Sequence, residues 1–258
     1  RGAEMCCGWW PSGGSLAGRS NSGRRERQVA LKKQSKIDDN IQGSKRKITV
    51  TQALTNDCLF IVDLVHIFET KDSIDMLMGL ITGGELWDVV HREDDEGNWT
   101  SGIPESQAKF YALVVADTLS YMHAQKYIYR DLKPENVMID GDGYPIIVDF
   151  GFTKVCDDMT FTFCGTPNYD SPEIINNTGH NAGADHWALG VLIYEMIAGE
   201  HPFHVDGMDN MMVFEAICKE QHYSLTKLKE GVSGAAVDLV DRLLAKEPAQ
   251  RLGMLGVK

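Results

Sequence analysis

The run Tyr129-Arg130-Asp131-Leu132-Lys133-Pro134-Glu135-Asn136 gathers carboxylates, cations and a carboxamide into one short segment. Past it, directly behind the apolar run Ile146-Ile147-Val148, stands Asp149-Phe150-Gly151. A carboxylate can orient a hydroxyl and accept its proton, a lysine can neutralise a phosphate, and the oxygens of Asp and Asn are hard ligands suited to magnesium. These are the parts needed to move the terminal phosphoryl group of ATP to a hydroxyl, because that reaction is mostly positioning and charge neutralisation. Asp-Phe-Gly alone carries no weight. Its order and spacing behind the first run give it meaning.

Such groups work only if rigid elements hold them. Pro104, followed by Ala108, Ala112, Val115, Leu119 and Met122 at spacings of three and four, predicts a long amphipathic helix ending near Gln125, just before the first run. Behind that run, Val137-Met138-Ile139 and Ile146-Ile147-Val148 flank Asp140-Gly141-Asp142-Gly143, whose residue types tolerate the positive φ of a tight turn, so a hairpin is expected. Upstream, Val29-Ala30-Leu31-Lys32, Ile61–Phe68 and Ile74–Met78 read as strands, with Gly83-Gly84 closing the last. The β-branched Ile48-Thr49-Val50-Thr51 signals helix only weakly. Helical patterns recur at 185–198, 209–220 and 234–246. Strands first and helices afterwards predict an α+β, two-lobed architecture rather than a doubly wound parallel sheet. Residues 1–28, with six glycines and no alternating apolar stretch, are assigned no structure and read as disordered or misassigned.

The 258 residues suffice for a sizeable core without disulfide or metal staples. The net charge is −12, yet residues 1–47 carry eleven Lys/Arg against four Asp/Glu, leaving a basic arm and an acidic body. An acidic body argues against a nucleic-acid surface; it permits attraction of basic peptides and equally serves solubility. Cysteines at 6, 7, 58, 156, 164 and 218 form no C-x-x-C pair, so reduced thiols in a cytoplasmic protein are expected. No apolar run reaches spanning length, since Trp187–Ile193 is soon followed by Glu195, and the start lacks a signal pattern. Opening on Arg1, the chain reads as a fragment or an incomplete gene model.

Tyr129–Asn136 resembles the catalytic loop of protein kinases, in the variant with Tyr for the usual His that marks the AGC group. The resemblance implies that Asp131 accepts the substrate hydroxyl proton, Lys133 neutralises the transferring phosphate, and Asn136 ligates magnesium. It makes Asp149 the second, bridging magnesium ligand. Thr162-Phe163-Cys164-Gly165-Thr166-Pro167-Asn168-Tyr169 is similar to the end of the activation loop in cyclic-nucleotide-dependent (cGMP- and cAMP-dependent) Ser/Thr kinases. There Thr162 would be a regulatory phosphosite, its phosphate pairing with Arg130 and Lys154, and Thr166 would bond the catalytic Asp. Ser171-Pro172-Glu173 and Arg251 stand where that family has a structural ion pair, and Asp185 where a carboxylate braces the catalytic loop. His186 reads as a packed residue rather than a ligand.

By the same resemblance, Glu85, Glu135 and Glu195 match the carboxylates that bind arginines preceding the phosphoacceptor; each taken singly is a surface charge. Together they imply protein or peptide substrates with Arg or Lys before Ser or Thr. Val29-Ala30-Leu31-Lys32 resembles the strand whose lysine holds the ATP phosphates, and Met78, Gly79, Ile81, Glu135, Asn136 and Asp149 would complete the nucleotide site. Gly79 stands where the family usually has an acidic residue. The lobes would divide at residue 80, with 29–80 the partial small lobe and 81–258 the large lobe, cut before its last helix.

Two departures bear on activity. Gly13-Gly14-Ser15-Leu16-Ala17-Gly18 lacks the spacing of the family's Gly-rich loop and reads as a low-complexity loop, and residues 40–56 offer no acidic partner for Lys32. The expected function is Ser/Thr phosphorylation with ATP and Mg2+; the alternative is a pseudokinase or inactive kinase-fold fragment acting as a binding module. Any cyclic-nucleotide control would come from a regulatory domain or subunit outside these residues.

Overall fold

The computed structural model describes residues 5–8, 15–20, 27–35, 41–55, 57–93, 97, 99–203 and 207–253. Gly13 and Gly14 lie outside them, as do residues 36–40 and the end beyond 253. The small lobe is a five-stranded sheet in the order β1-β2-β3-β5-β4, built from β1 (Met5–Gly8), β2 (Ser15–Ser20), β3 (Arg27–Ser35), β4 (Leu64–Glu69) and β5 (Ser73–Gly79). Helix α1 (Ile41–Thr55) falls between β3 and β4 in the chain.

Two expectations are corrected here. Residues 1–28, to which composition gives no structure, contain β1, β2 and the start of β3. Ser15–Gly18, read as loop, belongs to β2, where Ser15 faces Lys32, Leu16 faces Leu31 and Ala17 faces Ala30. Ser15, Ala17, Gly18 and Ser20 have little strand propensity of their own; pairing with β3 from Ser15 to Ser20 holds them extended. Val29 and Ala30 of β3 are buried. In α1, Val50 and Leu54 are buried four residues apart, so one helix face enters the core despite the β-branched run.

After α2 (Leu86–Val90) and the small pair β6 (His91–Glu93) and β7 (Trp99–Ser101), the large lobe is built on α3 (Glu105–Ala124). Short ladders follow: β8 (Tyr127–Ile128) with β11 (Lys154–Val155), and β9 (Val137–Ile139) with β10 (Pro145–Ile147). The remaining helices are α4 (Pro172–Ile175), α5 (Gly183–Ala198), α6 (Asn210–Lys219), α7 (Leu225–Leu228) and α8 (Gly234–Leu243). Helix α5 is buried along nearly its whole length, from Trp187 through Ile197, which is why it reads as apolar on all sides.

The lobes are clasped near the site. The amide of Val62 donates to the Ile147 carbonyl (3.0 Å), and the amide of Ile147 donates to the Phe60 carbonyl (2.8 Å). Just past the lobe boundary, the Gly83 amide donates to the Ile139 carbonyl and the Ile139 amide to the Gly84 carbonyl (2.8 and 2.9 Å), which seats the segment after β5 on β9. A Cβ on Gly83 would sit 2.5 Å from the Ile139 oxygen, so only glycine lets these backbones approach.

Candidate active site

The segment 129–136 lies between β8 and β9, and its backbone is pinned from below. Asp185, wholly buried at the start of α5, accepts from the amides of Tyr129 (2.9 Å) and Arg130 (2.8 Å), and its Oδ2 lies 2.7 Å from His123 Nε2. His123 and these bonds hold the Asp185 carboxyl below its ordinary range even though burial alone would raise it. With the backbone so anchored, Arg130 adopts φ 69° and Asp149 φ 54°, left-handed values that non-glycine residues accept only where surroundings dictate them.

Asp131 is held on both carboxylate oxygens. Oδ1 accepts from the Thr166 hydroxyl (2.9 Å) and Oδ2 from Asn136 Nδ2 (2.7 Å), while Lys133 Nζ donates to the same Thr166 oxygen (2.9 Å). Asn136 Nδ2 also donates to the Asp131 carbonyl (2.8 Å). Burial pushes the Asp131 carboxyl upward, against the opposing influence of Lys133, Thr166 and Asn136. A carboxyl so raised is better suited to accept a proton than an exposed one.

Asp149 faces the cleft from just past β10. Its Oδ1 accepts from the Gly151 amide (3.0 Å), and its Oδ2 pairs with Lys32 Nζ on β3 at 2.9 Å. Lys32, Met78 and Asp149 line a cavity of about 20 Å³ with Thr51, Val62 and Phe150. Thus the residue of α1 that reaches Lys32's cavity is a threonine. Gly79 closes β5, and its amide donates to the Asp63 carbonyl (2.8 Å); Ile81 packs half-buried against the core.

The donor set suits a hard divalent cation. Asn136 spends its Nδ2 on Asp131, which turns its amide oxygen to the other side, and Asp149 adds a carboxylate. Among the described residues no group of three or more His, Cys, Asp or Glu is placed to hold a metal, so phosphate oxygens and water would complete the shell.

The protein kinase domain family matches this chain over residues 17–258. The chain belongs to that family. The kinase domain is 37% identical over 218 residues to protein kinase 2 of Dictyostelium discoideum, covering 84% of this chain and 42% of the relative. It is 40% identical over 200 residues to mouse cGMP-dependent protein kinase 2 (76% of this chain, 24% of the relative). It is also 40% identical over 196 residues to the cAMP-dependent protein kinase catalytic subunit of Dictyostelium discoideum (76% and 28%). The chain therefore spans less than half the length of each of these relatives. Use of ATP with a divalent metal, and protein as substrate, are general to the family.

Within this kinase domain, Glu135 lies close enough to Glu85 and to Tyr169, the partner of Glu195, for its charge to act on both. Glu85 begins α2, and burial, Asp88 and Glu135 all push its carboxyl up. Glu195 is buried on α5; its Oε2 accepts from the Tyr169 hydroxyl and its Oε1 lies 3.1 Å from His91 Nε2. Tyr169 feels the charge of both Glu195 and Glu135 and is driven well above the ordinary phenol range, chiefly by burial. Thr162 is exposed, with its hydroxyl 3.5 Å from that of Thr160, which accepts from Lys154 Nζ (2.7 Å). Arg130 Nε donates to the Phe152 carbonyl (2.8 Å).

The structural pair is bidentate: Arg251 Nη1 and Nη2 donate to Glu173 Oε1 (2.6 Å) and Oε2 (2.9 Å), fully buried. His186 packs beside His123 with ring centroids 5.4 Å apart, and burial lowers it to about 4, as befits a packed neutral imidazole. Sequence reasoning missed His91, whose partner is far along the chain, and Asp170, whose polar turn suggests exposure.

Proposed function

We propose that this chain transfers the γ-phosphoryl group of ATP to Ser or Thr hydroxyls of proteins that carry Arg or Lys before the acceptor. The observation that carries this reading is the Asp131 carboxylate, fixed by Thr166 and Asn136 with Lys133 beside them. Asp131 orients the acceptor hydroxyl and takes its proton; Lys133 offsets negative charge on the group being transferred. Asp149 and Asn136 would hold Mg2+ through their oxygens, and the ion would supply positive charge to offset that of the phosphates. Lys32 is poised at the phosphate end of the cleft, and Met78, Gly79 and Ile81 border the adenine end.

Glu85, Glu135 and Glu195 would each take a substrate cation, with Arg favoured over Lys where bidentate pairing is possible. A phosphate on exposed Thr162 would draw Arg130 and Lys154 and order the loop. The acidic body supports peptide rather than nucleic-acid partners. Among the described residues no helix is long and apolar enough to cross a membrane. Cys58, Cys156, Cys164 and Cys218 stand in no disulfide, in keeping with a reducing, cytoplasmic setting. A pseudokinase would have no need of Asp131, Asn136 and Asp149 together.

Transfer of labelled phosphate from Mg-ATP to an Arg-Arg-x-Ser peptide tests the proposal, with Asp131→Asn as control. Transfer by the parent chain alone is expected. Equal signal from both proteins defeats the enzymatic reading, and faster labelling of a tyrosine peptide defeats the specificity.

A further inference from the structure

Asp170 carries a carboxyl that the chemistry above does not use. It follows the turn Pro167–Tyr169, only 3% exposed, in the segment that runs from Gly165 to Ser171. Among the described residues nothing donates a hydrogen bond to this carboxyl; what acts on it is burial, then the negative charge of Asp131. A Cβ built on Gly165 would lie 2.5 Å from Asp170 Oδ1 and 3.1 Å from the Arg130 carbonyl. The carboxyl is thus packed directly on the turn that carries Thr166, whose hydroxyl donates to Asp131.

The charged and titratable groups around it offer no compensation. Asp170 shares a cavity of about 10 Å³ with Arg130, Asp131, Tyr169 and Asp185. Asp185 is committed to His123 and two backbone amides, and Tyr169 donates to Glu195. Arg130, the cation of that set, directs its Nε to the Phe152 carbonyl. A neutral carboxylic acid tolerates such a place; a carboxylate there is a buried, unpaired charge facing a second carboxylate.

We propose that Asp170 is a positioning residue: its protonated form seats the 165–170 turn so that Thr166 reaches Asp131, and its ionisation unseats that turn and stops phosphoryl transfer. On ionising, the carboxylate draws water or a cation toward itself, which pulls the turn away from its packing on Gly165. Thr166 moves with it, and Asp131 Oδ1 loses its donor. Burial and Asp131 place this titration at about 8. Activity is therefore present below that pH and lost above it.

This inference rests on the kinase reading for its rate measurement but not for its structural one. kcat for an Arg-Arg-x-Ser peptide should fall about ten-fold from pH 7 to pH 9, as one inactivating ionisation near 8 requires. Asp170→Asn, which cannot ionise, should lose that limb, and Asp170→Leu serves if the Asn variant folds poorly. Protection of the 165–170 amides against hydrogen exchange should drop through the same pH in the parent chain and stay level in Asp170→Asn. If the parent shows no pH-dependent loss of protection, or if Asp170→Asn keeps the limb with the same midpoint, the role assigned to Asp170 is wrong. A chain without transferase activity that still shows the exchange transition would overturn the kinase reading and leave Asp170's role standing.

Discussion

Asp185 and Lys32 hold their charges in opposite lobes and by opposite means. Asp185 is wholly buried and receives the Tyr129 and Arg130 amides and His123, all from its own lobe. Lys32 rises from a sheet whose neighbouring helix contains no acid, and it meets Asp149 across the cleft at 2.9 Å. The buried carboxylate is held from within its own lobe. The lysine's pair with Asp149 spans both lobes, so it depends on how they meet.

The largest expected effect sharpens the first half of this contrast. Arg251→Ala leaves Glu173 as an uncompensated buried charge and should destabilise the large lobe by about 3–5 kcal/mol, read from urea unfolding. Asp131→Asn comes next: it should cut peptide phosphorylation by roughly 10²–10³-fold while leaving the unfolding midpoint close to that of the parent. A large loss of stability in that variant would show Asp131 to be structural, not chemical.

A third prediction turns on pH. Because Asp170 rises from 3.8 to about 8 on folding, the folded state binds a proton that the unfolded state releases. Its stability is thus fully present below about pH 4 and declines toward pH 8, by roughly 1.4 kcal/mol per unit. Asp170→Asn should flatten that decline; unfolding curves at pH 5, 6, 7 and 8 read the slope. The smallest effect belongs to the small lobe. Lys32→Met should cost under about 1 kcal/mol, since the Lys32–Asp149 pair is partly solvated, and a cost comparable to that of Arg251→Ala would erase the contrast between the lobes.

Legibility in the sequence followed the same division. The catalytic segment and Asp149-Phe150-Gly151 could be read because their chemistry sits in consecutive residues, and the hairpin between them is set by local turn types. Helix α3 announced itself through apolar spacing, and its observed end at Ala124 follows that spacing. Strands β1 and β2 could not be read, because their short, weakly patterned segments are extended by pairing, β2 with β3 and β1 with β2. His91 and Glu195 are 104 positions apart, so nothing local signals their meeting. Asp170 was hidden for another reason. An aspartate after Pro-Asn-Tyr looks like an ordinary surface turn, and only the packing of Gly165 and Asp131 around it makes it unusual.

The clasp at Phe60, Val62 and Ile147 has a mechanical consequence. It ties the segment that leads into β4 to β10, so the small lobe is fastened there backbone to backbone. Sliding of the sheet along the cleft would have to break these bonds. Lys32 already meets Asp149 at 2.9 Å, so the same shift would part that pair as well.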